Sequence, residues 1–246
     1  MGPETPAMSR EGASALDRDI TIVVAIGPDQ RHLRRMWESL QQHAFDVDVV
    51  MVCDGVVLEK PGSYFGERSG QTRVVAQDLQ GAYAARTAGA LAARTNFVTF
   101  LDTDDEYRPR DIDGGACLTY GDQRLEVDDS SSAPPALHAL VQKGVDVGAH
   151  LMSMVVRREC FLRAGGFTSN LRHAADLDLK LRMEKSGHVV RHVRQPWLIR
   201  HLHDGNESHD SRGSLSELFQ ILREQAAFNS DPDVTLPCTA STLGSP

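Results

Sequence analysis

Apolar residues in this chain follow two rhythms. The run Ile20–Ile26 (ITIVVAI) is short, β-branched and uninterrupted, and it closes on Gly27 and Pro28, which predicts a fully buried strand. Directly afterwards Leu33, Met36, Trp37 and Leu40 recur at helical spacing, so 32–43 is expected as a helix with one core-facing stripe. The alternation then repeats, with strands over 46–53 (DVDVVMVC), 72–76 and 97–101 and an alanine-rich helix over 81–94. Beyond these, the pattern predicts a helix over 136–143, a central strand over 150–156, a short helix over 159–164 ending at Gly165 and Gly166, and an amphipathic helix over 173–185. Strand character over 188–198 is broken by Pro196, and a last helix over 214–228 opens on a Ser214-x-x-Glu217 capping box. Strands alternating with helices imply an α/β fold with parallel pairing and right-handed crossovers. Residues 1–18 and 229–246 are rich in Gly, Pro and Ser without periodicity, and 128–135 (DDSSSAPP) reads as a surface loop. The expectation is one domain, 19–228, between two disordered tails.

Composition narrows the function classes. With 246 residues and 41% hydrophobic content the chain can bury a substantial core. A net charge of -8 opposes a broad nucleic-acid surface, which would need clustered Lys and Arg against phosphates. The longest apolar run is far short of the ~20 residues that cross a bilayer, and the first residues carry Glu4, Arg10 and Glu11 rather than an apolar signal core. Cys53, Cys117, Cys160 and Cys238 show no metal-ligand spacing, so reduced thiols and a cytoplasmic location are expected.

In α/β sheets, ligands gather beyond the carboxyl ends of the strands. Two of those ends carry acids: Asp54 after the second strand, and Asp102, Asp104 and Asp105 after the fourth. Three carboxylates that close repel by on the order of several kcal/mol unless a cation neutralises them, and hard oxygen ligands suit Mg²⁺ or Mn²⁺. The competing account of the same residues is a solvated acidic turn. His201 and His203 form an HxH pair whose rings would share one strand face, a geometry that suits zinc and a metal-dependent hydrolase. Asp176, at the start of a helix, fits either a general base or an acid favoured by the helix dipole.

Taken in order, ITIVVAI, VVMVCDG, GAYAARTAGALAA and FVTFLDTDDEYRP, followed by RRECFLRAGGFTSNLRHAADLDLKLRM and HLHDGNESH, resemble a family 2 glycosyltransferase of the GT-A fold. The resemblance implies a mixed, mostly parallel sheet flanked by helices in a single domain, with 19–110 as the nucleotide-binding half and 111–228 as the acceptor and base half. It implies that Asp105 binds a metal bridging the donor phosphates, with Asp104 at the metal or the ribose and Asp102 opening the loop on the donor side. Asp54 takes the position that holds the nucleoside, and Arg86 faces the donor or braces the aspartate loop. His203 falls to the metal, and His201, Asn206 and Ser208 to a phosphate or lid element. Asp176 matches the base. The implied activity is inverting transfer from a nucleotide diphosphate sugar, with UDP the expected carrier, aided by Mn²⁺ or Mg²⁺, to an acceptor such as a small molecule or a glycan. Three positions depart from the family pattern: Cys53 where a second acid is common, Thr87 after Arg86, and Ala175 where a Glu precedes the base. Ala175 is the feature that favours the alternative, a protein that binds nucleotide sugars without transferring them.

Overall fold

The computed structural model describes residues 19–44, 46–58, 71–110, 113–127, 141, 145–146, 151–203 and 211–229. The expected N-terminal tail, the 128–135 loop and nearly all of the expected 136–143 helix lie outside them. In chain order the strands are β1 (Ile20–Ile26), β2 (Asp48–Asp54), β3 (Thr72–Gln77), β4 (Phe97–Leu101), β5 (Glu106–Tyr107), β6 (Leu118–Val127), β7 (Val145–Asp146), β8 (Met154–Arg157) and β9 (Val190–Leu202). The helices are α1 (Leu33–His43), α2 (Ala82–Ala92), α3 (Arg158–Arg163), α4 (Ala175–Lys185) and α5 (Ser211–Asn229).

All nine strands join one sheet in the order β3-β2-β1-β4-β8-β6-β9-β5, with β7 paired to β6. The first four are mutually parallel. β8 then runs antiparallel to both β4 and β6, and β6 runs parallel to β9, which makes the sheet mixed. β1 lies between β2 and β4 and is buried at every position but Ala25, which explains its unbroken apolar run. Each Ile or Val buried there stabilises the fold by about 1.5–3 kcal/mol. α2 packs on β1 and β2, and Gly89 makes that approach possible, because a Cβ at this position would collide with the Val23 side chain.

Several boundaries differ from the sequence expectations for identifiable reasons. β9 does not break at Pro196 but continues to Leu202, because the register against β6 shifts on either side of Asp122, opposite Pro196. A bulge tolerates a residue with no N–H, and Gly121 leaves room there for the Trp197 indole. The expected strand over 150–156 is a 3₁₀ turn, Leu151–Ser153, followed by β8. α4 starts at Ala175 rather than 173, and α5 starts at Ser211, so Ser214 lies within the helix rather than at its start. Cys117 and Cys160 are joined as a disulfide, which corrects the expectation of reduced thiols throughout; Cys53 is a free, buried cysteine.

Candidate active site

Because β1, β2 and β4 are parallel, the acids that follow β2 and β4 emerge at one edge of the sheet. Asp54 ends β2 and is buried. Its Oδ1 accepts Gln77 Nε2 and the Gln80 N–H, both at 2.8 Å, and its Oδ2 accepts the Gly81 N–H at 2.8 Å. Gly81 has φ 96°, a left-handed conformation that glycine adopts without a Cβ clash. Asp54 therefore ties β2 to the start of α2. Of the roughly four acceptor positions on a carboxylate, about one remains on Oδ2 for a ligand.

The Asp102, Asp104 and Asp105 side chains each present a carboxylate oxygen within 4.8 Å of the others. Asp105 is 2% exposed. Burial holds its carboxyl well above the ordinary range, the Asp104 and Asp102 charges push it further, and Arg200 and the His201 N–H at 3.3 Å pull the other way. Asp102 is paired with Arg86, a buried residue of α2. Desolvated carboxylates this close fit a hard divalent cation, whose charge would offset their repulsion.

The histidines of β9 divide. His203 Nε2 lies 3.0 Å from Asp104 Oδ2, next to the acid cluster, whereas His201 Nε2 lies 2.9 Å from Glu106 Oε1. The HxH pair thus engages two different carboxylates. Among the described residues, the two groups with metal-ligand proximity are the three aspartates and Cys117, Cys160 and His188. Neither group contains the pair. Asn206 and Ser208 lie outside the described residues, as do Asp204 and His209.

α1 supplies two residues that the sequence did not single out. Arg35 donates to the Asp104 carbonyl oxygen at 2.8 Å, and the His32 ring stacks on His203 with centroids 4.8 Å apart. Burial lowers the His32 pKa, and the charges of Arg35 and His203 lower it further. Both residues lie on the polar side of a helix whose legible signal was its apolar stripe.

Asp176 occupies the first turn of α4, half-buried, where its Oδ1 accepts the Leu177 N–H at 2.9 Å. Burial raises the Tyr83 phenol, the Asp176 charge raises it further, Arg86 opposes this, and Asp102 and Glu217 also act on it. The Arg86 guanidinium lies 5.0 Å from the Tyr83 ring centroid. The sequence offered one weak signal for Tyr83, the lone bulky residue in an alanine-rich stretch. Ala175 is fully buried. Asp178, a possible stand-in for the missing Glu, is committed elsewhere: it accepts Thr168 Oγ1 at 2.6 Å and Arg182 Nε at 2.9 Å.

Residues 21–114 match the model of the family described as Glycosyl transferase family 2. EpsH of Bacillus subtilis (strain 168), which carries a glycosyltransferase name, is 29% identical over 93 residues, 37% of this chain and 27% of that protein. The O-antigen biosynthesis protein RfbC of Myxococcus xanthus is 29% identical over 162 residues, 60% of this chain and 12% of that protein. The chain thus spans about a quarter or less of these curated relatives. Among solved structures, the Pyrobaculum calidifontis mannosyltransferase PcManGT in complex with GDP-Man and Mn²⁺ matches with TM-score 0.64 at 14% identity, over 85% of this chain and 64% of that one. S. aureus TarS 1-349 in complex with UDP-GlcNAc matches with TM-score 0.61 at 12% identity, over 88% of this chain and 68% of that one. These likenesses place the fold as GT-A.

Proposed function

We propose that this chain, whose residues 21–114 match the glycosyl transferase family 2 model, moves a sugar from a nucleotide diphosphate donor to an acceptor hydroxyl with inversion at the anomeric carbon. The observation that carries this reading is the convergence of the three aspartate oxygens within 4.8 Å around a buried Asp105. Asp102, Asp104 and Asp105, with His203 beside them, would hold a Mn²⁺ or Mg²⁺ ion. When bound, such an ion supplies charge that stabilises the departing diphosphate. The remaining steps belong to the chain. Asp176 takes the proton of the acceptor hydroxyl as that oxygen bonds to the anomeric carbon, and the bond from that carbon to the diphosphate oxygen breaks. Asp54 takes the nucleoside side, with its free Oδ2 position open to a ring N–H, which suits a uracil base. Arg86 keeps Asp102 in the loop. His201, locked to Glu106, shapes the wall of the site through its backbone N–H to Asp105. The solved neighbours bound to UDP-GlcNAc and to GDP-Man support a nucleotide sugar as donor.

The test is binding and turnover of UDP-GlcNAc and GDP-mannose with Mn²⁺, followed by calorimetry and by release of nucleoside diphosphate, with water or a glycan as acceptor. Transfer predicts Mn²⁺-dependent binding of at least one donor and slow turnover that Asp176→Asn reduces by about 10²-fold or more while donor affinity stays. Binding with no turnover, in the presence of an acceptor panel, would instead identify a nucleotide-sugar-binding protein, the reading favoured by the buried Ala175 next to Asp176.

A further inference from the structure

We propose that Glu217 is a positioning residue for Asp176, a proposal that rests on the reading of Asp176 as the base. Glu217 belongs to α5, yet its carboxylate caps another helix. Oε1 accepts the Arg172 N–H at 2.7 Å, and Oε2 accepts the His173 N–H at 2.8 Å and the Ala174 N–H at 3.0 Å. These three donors directly precede α4, whose first turn carries Asp176. The N-terminal end of a helix leaves backbone N–H groups without partners, and Ala174 at the N-cap has no side chain to meet them. Of those groups Glu217 meets only the Ala174 N–H; its other two donors lie just before the helix, so it clamps the chain entering α4 rather than the first turn itself.

Three charge-assisted hydrogen bonds from consecutive amides fix both the place and the direction in which the chain enters α4. The Cα–Cβ direction of Asp176, two residues after the last clamped amide, follows from that entry. Burial alone would raise the Glu217 pKa, but the three backbone N–H groups and His173 outweigh it and bring the carboxyl below its ordinary range. Glu217 is thus ionised at neutral pH and holds the clamp as an anion. Nearer in sequence, Ala175 offers no polar side-chain atom and Asp178 is bound to Thr168 and Arg182. The charges of Asp176, Asp102 and Glu217 all raise the Tyr83 pKa.

The experiment uses the full chain with Mn²⁺, UDP-GlcNAc and GDP-mannose as probes, and the variants Glu217→Ala, Glu217→Gln and Asp176→Asn. Expected is a fall in kcat for nucleoside diphosphate release of about tenfold or more in Glu217→Ala, with donor KM changed by less than about threefold. Glu217→Gln, which keeps one carbonyl acceptor, falls between Glu217→Ala and the parent chain. Amide hydrogen exchange reads the same point without turnover: residues 172–178 should exchange about tenfold faster in Glu217→Ala while β1 and β4 stay unchanged. An inactive Asp176→Asn beside a fully active Glu217→Ala overturns the positioning role and leaves the base reading intact. An Asp176→Asn variant as active as the parent overturns the base reading itself. Faster exchange throughout the sheet, with kcat and donor affinity lost together, identifies a stabilising cap only and also overturns the proposal. If the parent chain turns over neither donor, unchanged exchange at 172–178 in Glu217→Ala overturns it.

Discussion

Asp105 is buried to 2% exposure beside two further carboxylates, and the charge of Arg200 opposes their effect on it. Its pKa in the folded chain lies above the value it has unfolded, so its linkage favours the folded state in acid and is lost as pH rises through the folded pKa. In chelator at neutral pH, Asp105→Asn should therefore raise the melting temperature by on the order of a few degrees, because it removes a strained charge. The same substitution should abolish the upward shift that Mn²⁺ gives the parent chain. Melting curves with EDTA and with Mn²⁺ check both halves; a variant less stable than the parent in EDTA would show that Asp105 is not held under repulsion. At this scale the sequence was informative where chemistry and neighbours coincide: three acids after an unbroken apolar run mark a loop at a strand end. It was silent on Arg35 and His32, whose partners Asp104 and His203 are far away in the chain and near only once α1 packs beside the loop. Glu217 was misread because its spacing to Ser214 fits a local cap, while its real partners, 172–174, lie at the entry to another helix.

Elements were legible where burial is two-sided. β1, β2 and β4 sit inside the sheet and read as continuous apolar runs, and α1 shows one stripe because one face meets the core. β6 was missed: over Leu118–Val127 buried positions mix with Tyr120, Gln123 and Arg124, and Gly121 interrupts them, so neither period stands out. β9 was cut short at Pro196, since the bulge that accommodates a proline is set by its partner strand. Helix contact with the sheet is testable at Gly89. Replacing it with alanine gains helix propensity worth up to about 1 kcal/mol, but the added Cβ collides with Val23, and overpacking of this kind costs about 1–3 kcal/mol. The clash wins, so Gly89→Ala should lower stability in denaturant unfolding; an increase would mean that α2 can lift off β1 freely.

For the whole molecule, one sheet carries both halves of the site. The parallel strands β3-β2-β1-β4 deliver Asp54 and the acid loop, and the antiparallel step through β8 and β6 brings β9, with His203, back against that loop. The GT-A fold was readable because ordered motifs span most of the chain, while the pairing of Cys117 with Cys160 was not, since a separation of 43 residues has no spacing signature. The central claim is that the loop after β4 is a cation site shared with a diphosphate. It is tested most directly by titrating Mn²⁺ into the parent chain and into Asp105→Asn, each with and without UDP-GlcNAc or GDP-mannose, and following the bound ion by electron paramagnetic resonance. The account predicts one tight Mn²⁺ site in the parent that strengthens with donor and is lost in Asp105→Asn. Equal Mn²⁺ binding by both chains, indifferent to either donor, would contradict it.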